Sequence, residues 1–261
     1  MGMRRGARGP KRVVVLGATS GMGRAVARAL AARGDRVFVL GLSEDELART
    51  TSDLAIRSGA APSAIGWAIC DLERPETFPG ALDAAERALG GIDVVVVTAA
   101  IFATQAELEA DAALTQRLLT IDFTNTVLFC EEARKRLLAA ASRGTAGTLC
   151  VFSSVAGDRG RKPVALYGAA KAGLTRYLEA IDHKHHADGL RVITVKPGFV
   201  KTGMTAGLKS PPFAGEPDEV AAIVVRAIDR GTPEVYAPSA WRPIMGVIRG
   251  LPRFVMRRVG F

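Results

Sequence analysis

An α/β domain built on a parallel sheet is what the sequence predicts, and three observations carry the prediction. Short β-branched runs alternate with longer amphipathic stretches. The runs are apolar throughout, as strands covered on both faces are. No linker rich in Pro, Gly or Ser and no repeat divides the chain, so one domain is expected. In order, Val13–Leu16, Val37–Leu40, Ala64–Ile69, Val94–Val97, Thr148–Phe152 and Val192–Val195 read as six strands, with Val235–Tyr236 a short seventh. Helical periodicity covers residues 22–33, 45–58, 76–89, 112–142, 165–187 and 217–230. After Pro197, the residues Gly203, Gly207, Pro211, Pro212 and Gly215 predict a mobile loop before a helix that Pro217 starts.

Composition narrows the function classes. With 261 residues, 48% hydrophobic and 23% charged, the chain can bury a core, which excludes disorder for its bulk. The longest apolar run, Val94 to Ala103, is about half of what a bilayer crossing needs. Met1–Arg12 is basic but meets Val13–Leu16, too short for the apolar region of a secretory signal. Cys70, Cys130 and Cys150 form no CxxC pair and sit in apolar contexts, so buried free thiols in a reducing cytosol are expected. The net charge of +9 belongs to the ends. Residues 1–12 and 241–261 each hold five basic groups and no acid, leaving 25 basic against 26 acidic groups between them. Such ends suit an anionic surface or a lipid phosphate better than a nucleic-acid groove.

The first candidate site follows the first strand. Gly17-Ala-Thr-Ser-Gly21-Met-Gly23 lies between Val13–Leu16 and a helix beginning at Arg24. Strand, glycine loop and helix aim backbone N–H groups and a helix N-terminus at a pyrophosphate. Gly17 permits the turn, Gly21 lets backbone approach the phosphate and Gly23 lets the helix pack on the sheet. The spacing is GxxxGxG, and a glycine triplet alone is weak evidence, since loops are glycine-rich; its place after the first strand strengthens it. The second strand ends Leu40-Gly41-Leu42-Ser43, with neither the carboxylate that favours NADH nor the arginine that favours NADPH. Both cofactors stay open, and the missing arginine favours NADH. Asp71, past the third strand, is read either as an acceptor for an adenine amino group or as a cap for the helix near Pro75.

The second candidate site is Tyr167-Gly-Ala-Ala-Lys171, with Tyr and Lys at i and i+4 on one helix face. An ammonium held there lowers the tyrosine pKa, so that the phenol can exchange a proton with a carbonyl or alcohol oxygen. Ser154, thirteen residues earlier, can hydrogen-bond the same oxygen. A lone Tyr-xxx-Lys is usually a solvated helix face; behind a glycine loop and an upstream serine it is specific.

From residue 12 to about residue 236, including Val195-Lys-Pro-Gly-Phe-Val-Lys-Thr202, the chain resembles the short-chain dehydrogenase/reductase family. The resemblance implies a Rossmann-type, doubly wound, seven-stranded parallel sheet and NAD(P)H-dependent ketone reduction. By it, Gly17, Thr19, Ser20, Gly21, Met22 and Gly23 cradle the cofactor phosphates. Leu42, Asp71 and Leu72 flank the adenosine, and Ala99 approaches a ribose. Tyr167 and Lys171 serve both cofactor and catalysis, while Pro197, Gly198, Val200 and Thr202 hold the nicotinamide side. Two departures stand out. The Asn-Asn-Ala-Gly segment usual after the fourth strand is Val97-Thr98-Ala99-Ala100, and the asparagine that commonly completes a catalytic tetrad is Asp122. Asp122 is expected to keep the activity while adding negative charge near Lys171. The resemblance also implies a homodimer or homotetramer, for which the helices near 112–142 and 165–187 are long enough.

At the C-terminus, Trp241, Ile244, Ile248, Leu251 and Val255 share one side of a helix, with Arg242, Arg249, Arg253 and Arg257 opposite and a break expected at Pro252. Such a segment either lies on an anionic membrane surface or packs its stripe on the protein's own core or a second copy. Its text, with that of 197–212 and Leu40–Leu42, is similar to the decaprenylphosphoryl-2-keto-ribose 2-reductases within the family. That similarity implies a lipid-linked 2-keto sugar as substrate, a flavin oxidase as partner, and a cytoplasmic protein peripheral to the inner membrane face. The resulting division is a basic extension over 1–11, the dinucleotide domain over 12–240 and the tail over 241–261. Two other readings remain: a reductase of a soluble β-ketoacyl or polyketide ketone, and a non-catalytic dinucleotide sensor or scaffold. His183, His185 and His186 read as a solvated helix end rather than a metal site.

Overall fold

The computed structural model describes residues 9–61, 64–142, 144, 146–207, 210–211 and 213–260. Residues 1–8 of the basic extension, and Pro212 of the expected mobile loop, lie outside them. Seven strands alternate with helices: β1 (Arg12–Leu16), α1 (Gly21–Ala32), β2 (Arg36–Gly41), α2 (Glu44–Ser58), β3 (Gly66–Ile69), α3 (Thr77–Leu89) and β4 (Val94–Val97) form the first half. Then come α4 (Gln105–Ala110), α5 (Ala112–Leu119), α6 (Thr126–Ala141), β5 (Gly147–Phe152), α7 (Ala165–His185), β6 (Leu190–Pro197), α8 (Pro217–Arg230), β7 (Glu234–Ala237), α9 (Trp241–Gly250) and α10 (Arg253–Met256). All seven strands foreseen are present, paired in parallel in the order β3-β2-β1-β4-β5-β6-β7. The order reverses direction between β1 and β4, which opens a crevice above their C-terminal ends.

The two faces of the sheet bury separate cores. Val13, Val15, Val37 and Val39 meet α1, α2 and α8 through Val26, Leu30, Leu47, Val220 and Val224. On the other face, Val14, Leu16, Val95 and Val97 meet α3, α6 and α7 through Phe78, Leu82, Phe129, Leu137 and Leu174. The all-apolar strands follow from this double cover.

Three features differ from expectation. The helix expected over 112–142 is broken by a π-turn, Thr120–Asn125, which inserts an extra residue into the i→i+4 ladder between α5 and α6. The short helix α4 was not expected; Thr104 and Glu107 form a capping box that starts it. Helix α3 begins at Thr77 without a side-chain cap, and Asp71 instead accepts from the Glu73 N–H at 2.8 Å, closing a tight turn.

Candidate active site

The crevice over β1 and β4 is a cleft of ≈ 380 Å3. Gly17, Thr19, Ser20, Gly21, Met22 and Gly23 line one wall; Gly41, Leu42, Asp71 and Leu72 line the side toward β2 and β3; Thr98, Ala99, Ile101, Thr202 and Met204 line the rest. Gly17 and Gly21 have φ of +87° and +50°, a region that favours glycine. A Cβ on Gly23 would stand 2.1 Å from the Gly17 carbonyl oxygen and 2.4 Å from Thr98 Oγ1, so this glycine presses α1 against the loop. Thr98 fastens the far side by donating its hydroxyl to the Leu16 carbonyl at 2.9 Å. The departure Val97-Thr98-Ala99-Ala100 therefore keeps a close backbone approach here.

The cleft fits a nicotinamide dinucleotide. Ser20 is extended at the N-cap of α1 and makes no capping bond, and the first turn carries no acid, so its N–H groups face the cleft unopposed. Beneath Leu72, Asn125 donates to the Leu72 carbonyl at 2.6 Å from inside the π-turn. Sequence reasoning missed this contact. Asn125 stands in a run of polar residues, Asp122, Thr124 and Thr126, and nothing in the sequence sets it apart.

Ser154, Tyr167, Lys171 and Asp122 converge near the cleft. The chain brings them together through backbone contact: a Cβ on Gly157 would lie 2.7 Å from the main chain of Lys171 and Ala172, and one on Gly168 would lie 2.8 Å from the Ala156 carbonyl. The loop carrying Ser154 thus sits directly on α7. Ser154 accepts from the Ala156 N–H at 3.1 Å, and Ser153 donates to the Lys171 carbonyl at 2.9 Å. The Tyr167 ring packs edge-on against Phe102, centroids 5.2 Å apart, and the Leu166 N–H is held by Gln105 at 3.1 Å. That is the task of the unforeseen α4.

Asp122 is fully buried in the π-turn. Its Oδ1 accepts from the Ile101 N–H at 2.8 Å, and its Oδ2 lies 3.1 Å from Lys171 Nζ. Burial pushes the Lys171 ammonium down, and the charge of Asp122 more than restores it. Lys171 Nζ stands 5.6 Å from the centre of the Tyr167 ring. Contrary to the expectation of a lowered phenol, the protein's own groups hold Tyr167 above its ordinary value. Burial raises it, and Asp122 offsets part of what Lys171 and the Ser154 hydroxyl take away.

The loop after β6 is covered by the C-terminal segment. A Cβ on Gly198 would fall 2.0 Å from Trp241 Nε1, and that indole donates to the Phe213 carbonyl at 3.3 Å. Val200 is buried, and Thr202 lines the cleft opposite Gly21. Pro197 ends β6, with Gly198 donating to the Ala237 carbonyl at 3.1 Å.

The sequence matches the short chain dehydrogenase family over residues 11–212. The chain is a short-chain dehydrogenase. It is 35% identical over 248 residues to an uncharacterised oxidoreductase of Mycobacterium tuberculosis, covering 95% of this chain and 96% of that one. It is 34% identical over 198 residues to the cis-4-hydroxycyclohexanecarboxylate dehydrogenase of Sinomonas cyclohexanicum, covering 75% of each. A solved actinorhodin polyketide ketoreductase with NADPH superposes with a TM-score of 0.76 at 23% identity, covering 87% of this chain and 95% of that one. As a short-chain dehydrogenase it is an NAD(P)-dependent oxidoreductase acting between ketone and alcohol.

The tail of this short-chain dehydrogenase is part of its body. Met245 and Ile248 are buried against Val155 and Tyr236, with Trp241, Ile244 and Met256 packed around them. Arg159 donates to the Leu251 carbonyl at 2.8 Å and Lys162 to that of Arg257 at 2.7 Å. The stripe therefore faces inward, onto the loop between Ser154 and Tyr167, and the helix breaks at Pro252 as expected. Beside it, Lys196 is buried between Asp158 at 2.7 Å and Glu234 at 2.5 Å, and Tyr236 donates to Asp158 at 2.7 Å. His185, expected at a solvated end, is buried 2.9 Å from Asp188 and 3.4 Å from Arg134. All three cysteines are buried and free, and burial pushes the Cys70 thiol up to about 12.

Proposed function

We propose that the chain reduces the ketone of a cyclic substrate to a secondary alcohol, with NADH or NADPH held in the glycine-loop cleft. The carrying observation is the convergence of Ser154, Tyr167 and Lys171 beside that cleft. The nicotinamide supplies hydride when bound. Tyr167 gives its proton to the carbonyl oxygen, Ser154 donates a hydrogen bond to the same oxygen, and Lys171 stabilises the phenolate that remains. Gly17, Thr19, Ser20, Gly21, Met22 and Gly23 take the phosphates, and Leu42, Asp71 and Leu72 take the adenosine. Ala99, Pro197, Gly198, Val200 and Thr202 place the nicotinamide.

The substrate we favour is a polyprenylphosphoryl 2-keto-pentose, produced by a flavin oxidase. Supporting it, Arg242, Arg249, Arg253, Arg257 and Arg258 are exposed and none has a side-chain partner among the described residues. On the same segment Val247 and Phe254 expose apolar surface, as does Phe213, whose carbonyl accepts from Trp241. A phosphate with an apolar chain, or an anionic membrane face in the cytoplasm, matches that combination. The similarity to a hydroxycyclohexanecarboxylate dehydrogenase supports a second reading, a soluble cyclic ketone whose carboxylate meets the same arginines. Exposed Phe123 and Leu128, at the π-turn and on α6, support a homodimer through these helices.

Loss of nicotinamide absorbance is the test, run with NADH and with NADPH against the keto-lipid generated in situ and against 4-oxocyclohexanecarboxylate. Turnover only with the keto-lipid, abolished in Tyr167→Phe, is expected. Turnover only with the soluble ketone would transfer the arginines to the second reading. Silence with both would leave a dinucleotide sensor.

A further inference from the structure

The pair Asp122–Lys171 is used by no step above, although it is the deepest charged contact beside the reacting phenol. Both side chains are essentially inaccessible, at 0% and 2% exposure. Asp122 Oδ2 has the Lys171 ammonium 3.1 Å away and no other donor beside it, so this one ion pair carries the charge of the carboxylate. Burial pushes the Asp122 carboxyl up, while the Lys171 charge and the Ile101 N–H draw it back; taking away either partner would strand a lone buried charge, which is costly. The charged and titratable groups acting on Tyr167 are Lys171 from its own helix, Asp122 from the π-turn and the Ser154 hydroxyl from the loop after β5; Phe102 adds only an uncharged edge.

We propose that Asp122 cancels the electrostatic pull of Lys171 on Tyr167 and so keeps this tyrosine in its acid form across a wider pH range than the lysine alone would allow. Asp122 is a positioning residue: it touches Lys171 and the Ile101 N–H and acts on Tyr167 through them. A lone buried ammonium near the phenol would favour phenolate; an ammonium paired with a carboxylate presents a dipole, whose field falls away faster. One phenol serves both directions of the reaction, so ketone reduction falls and alcohol oxidation rises on the alkaline side, each with its own midpoint because only the oxidised nicotinamide is cationic. Removing Asp122 moves both down together without changing the equilibrium.

The inference rests on Tyr167 being the proton donor, yet its test is independent of turnover. Phenolate absorbance is titrated in the full chain, which has three tyrosines: Tyr167, Tyr177 and Tyr236. Burial pushes the other two up as well, and the step lost in Tyr167→Phe identifies the one in question. In Asp122→Asn the Tyr167 step is expected about one pH unit below that of wild type, a tenfold gain in phenolate at a given pH below it. Lys171→Met, leaving the carboxylate, moves it above wild type. The double variant Asp122→Asn/Lys171→Gln, which strands no buried charge, brings it back near wild type and keeps the test alive if a single variant fails to fold. Any other order, or one midpoint for all, overturns the proposal. Silence of every variant with every ketone, with this order intact, would sink the functional reading and leave the electrostatic one standing.

Discussion

Around the glycine loop, the walls that an added side chain would meet are largely main chain. Gly23 looks at a carbonyl oxygen 2.1 Å from where its Cβ would be, and Gly17 at the Ala99 nitrogen at 2.7 Å. In the loop after β6 the same kind of crowding at Gly198 comes from an indole, Trp241. The first region is thus held mainly by main chain, with the Thr98 hydroxyl beside it, and the second by one indole reaching in from the last twenty-one residues. Backbone walls recur wherever the same ligand atoms must be approached closely. Side-chain walls can be exchanged one at a time, which is how substrate choice varies on a constant scaffold.

The comparison is broken most directly at Gly23. Gly23→Ala is expected to lose about 3 kcal/mol of stability, since neither the Gly17 carbonyl nor α1 can retreat. Chemical denaturation would show it, together with loss of NADH binding by fluorescence. A Gly23→Ala protein with wild-type stability and affinity would mean the loop has slack that the structure does not contain. Gly198→Ala is expected to cost less, about 1–2 kcal/mol, because an indole can swing. Trp241→Leu in the same chain should recover at least half of that loss, a coupling that a double-mutant cycle measures. Additive losses would mean that Trp241 is not the wall.

The smallest effect lies far from both sites, where β1 meets β4. The Asp93 carboxylate accepts from the Arg12 backbone at 2.9 Å and from its guanidinium at 3.0 and 2.6 Å. Burial pushes this carboxyl up, but the Arg12 donors outweigh it and leave it below its ordinary value. Its contribution is therefore complete above the unfolded value of roughly 3.9 and disappears as pH falls through the depressed folded value. Arg12→Met should cost about 1 kcal/mol at neutral pH and flatten the acid limb of the stability curve. An acid limb unchanged in Arg12→Met would assign that slope to other carboxylates.

Much of this was legible beforehand because the physics was local. Seven apolar β-branched runs became seven strands, and the glycine loop and Tyr167–Lys171 need only neighbours in sequence to be recognised. The π-turn at Thr120–Asn125 was not legible, since one extra residue inside a helix barely disturbs a 3.6-residue period. With it went the role of Asn125 under Leu72, whose partner lies 53 positions away; the charge of Asp122 near Lys171 was foreseen through the family resemblance, while its place in a π-turn and its hold on the Ile101 N–H were not. The tail shows the same limit. Its stripe told which side is apolar, but only the fold shows that Met245 and Ile248 meet Val155 and Tyr236. His185 was misread because Asp188 and Arg134 bury it from two different elements.

Trp241 has one further consequence. The chain has two tryptophans: Trp67 sits on β3 at the sheet edge, and Trp241 lies between Gly198 and the Phe213 carbonyl, where the nicotinamide-side loop, the segment before α8 and the last helices meet. An optical probe therefore stands at this junction, and a second, on the far edge of the sheet, serves as its reference. Emission from the unlabelled protein reports the surroundings of that indole in real time, so any change there on filling the site can be timed separately from chemistry.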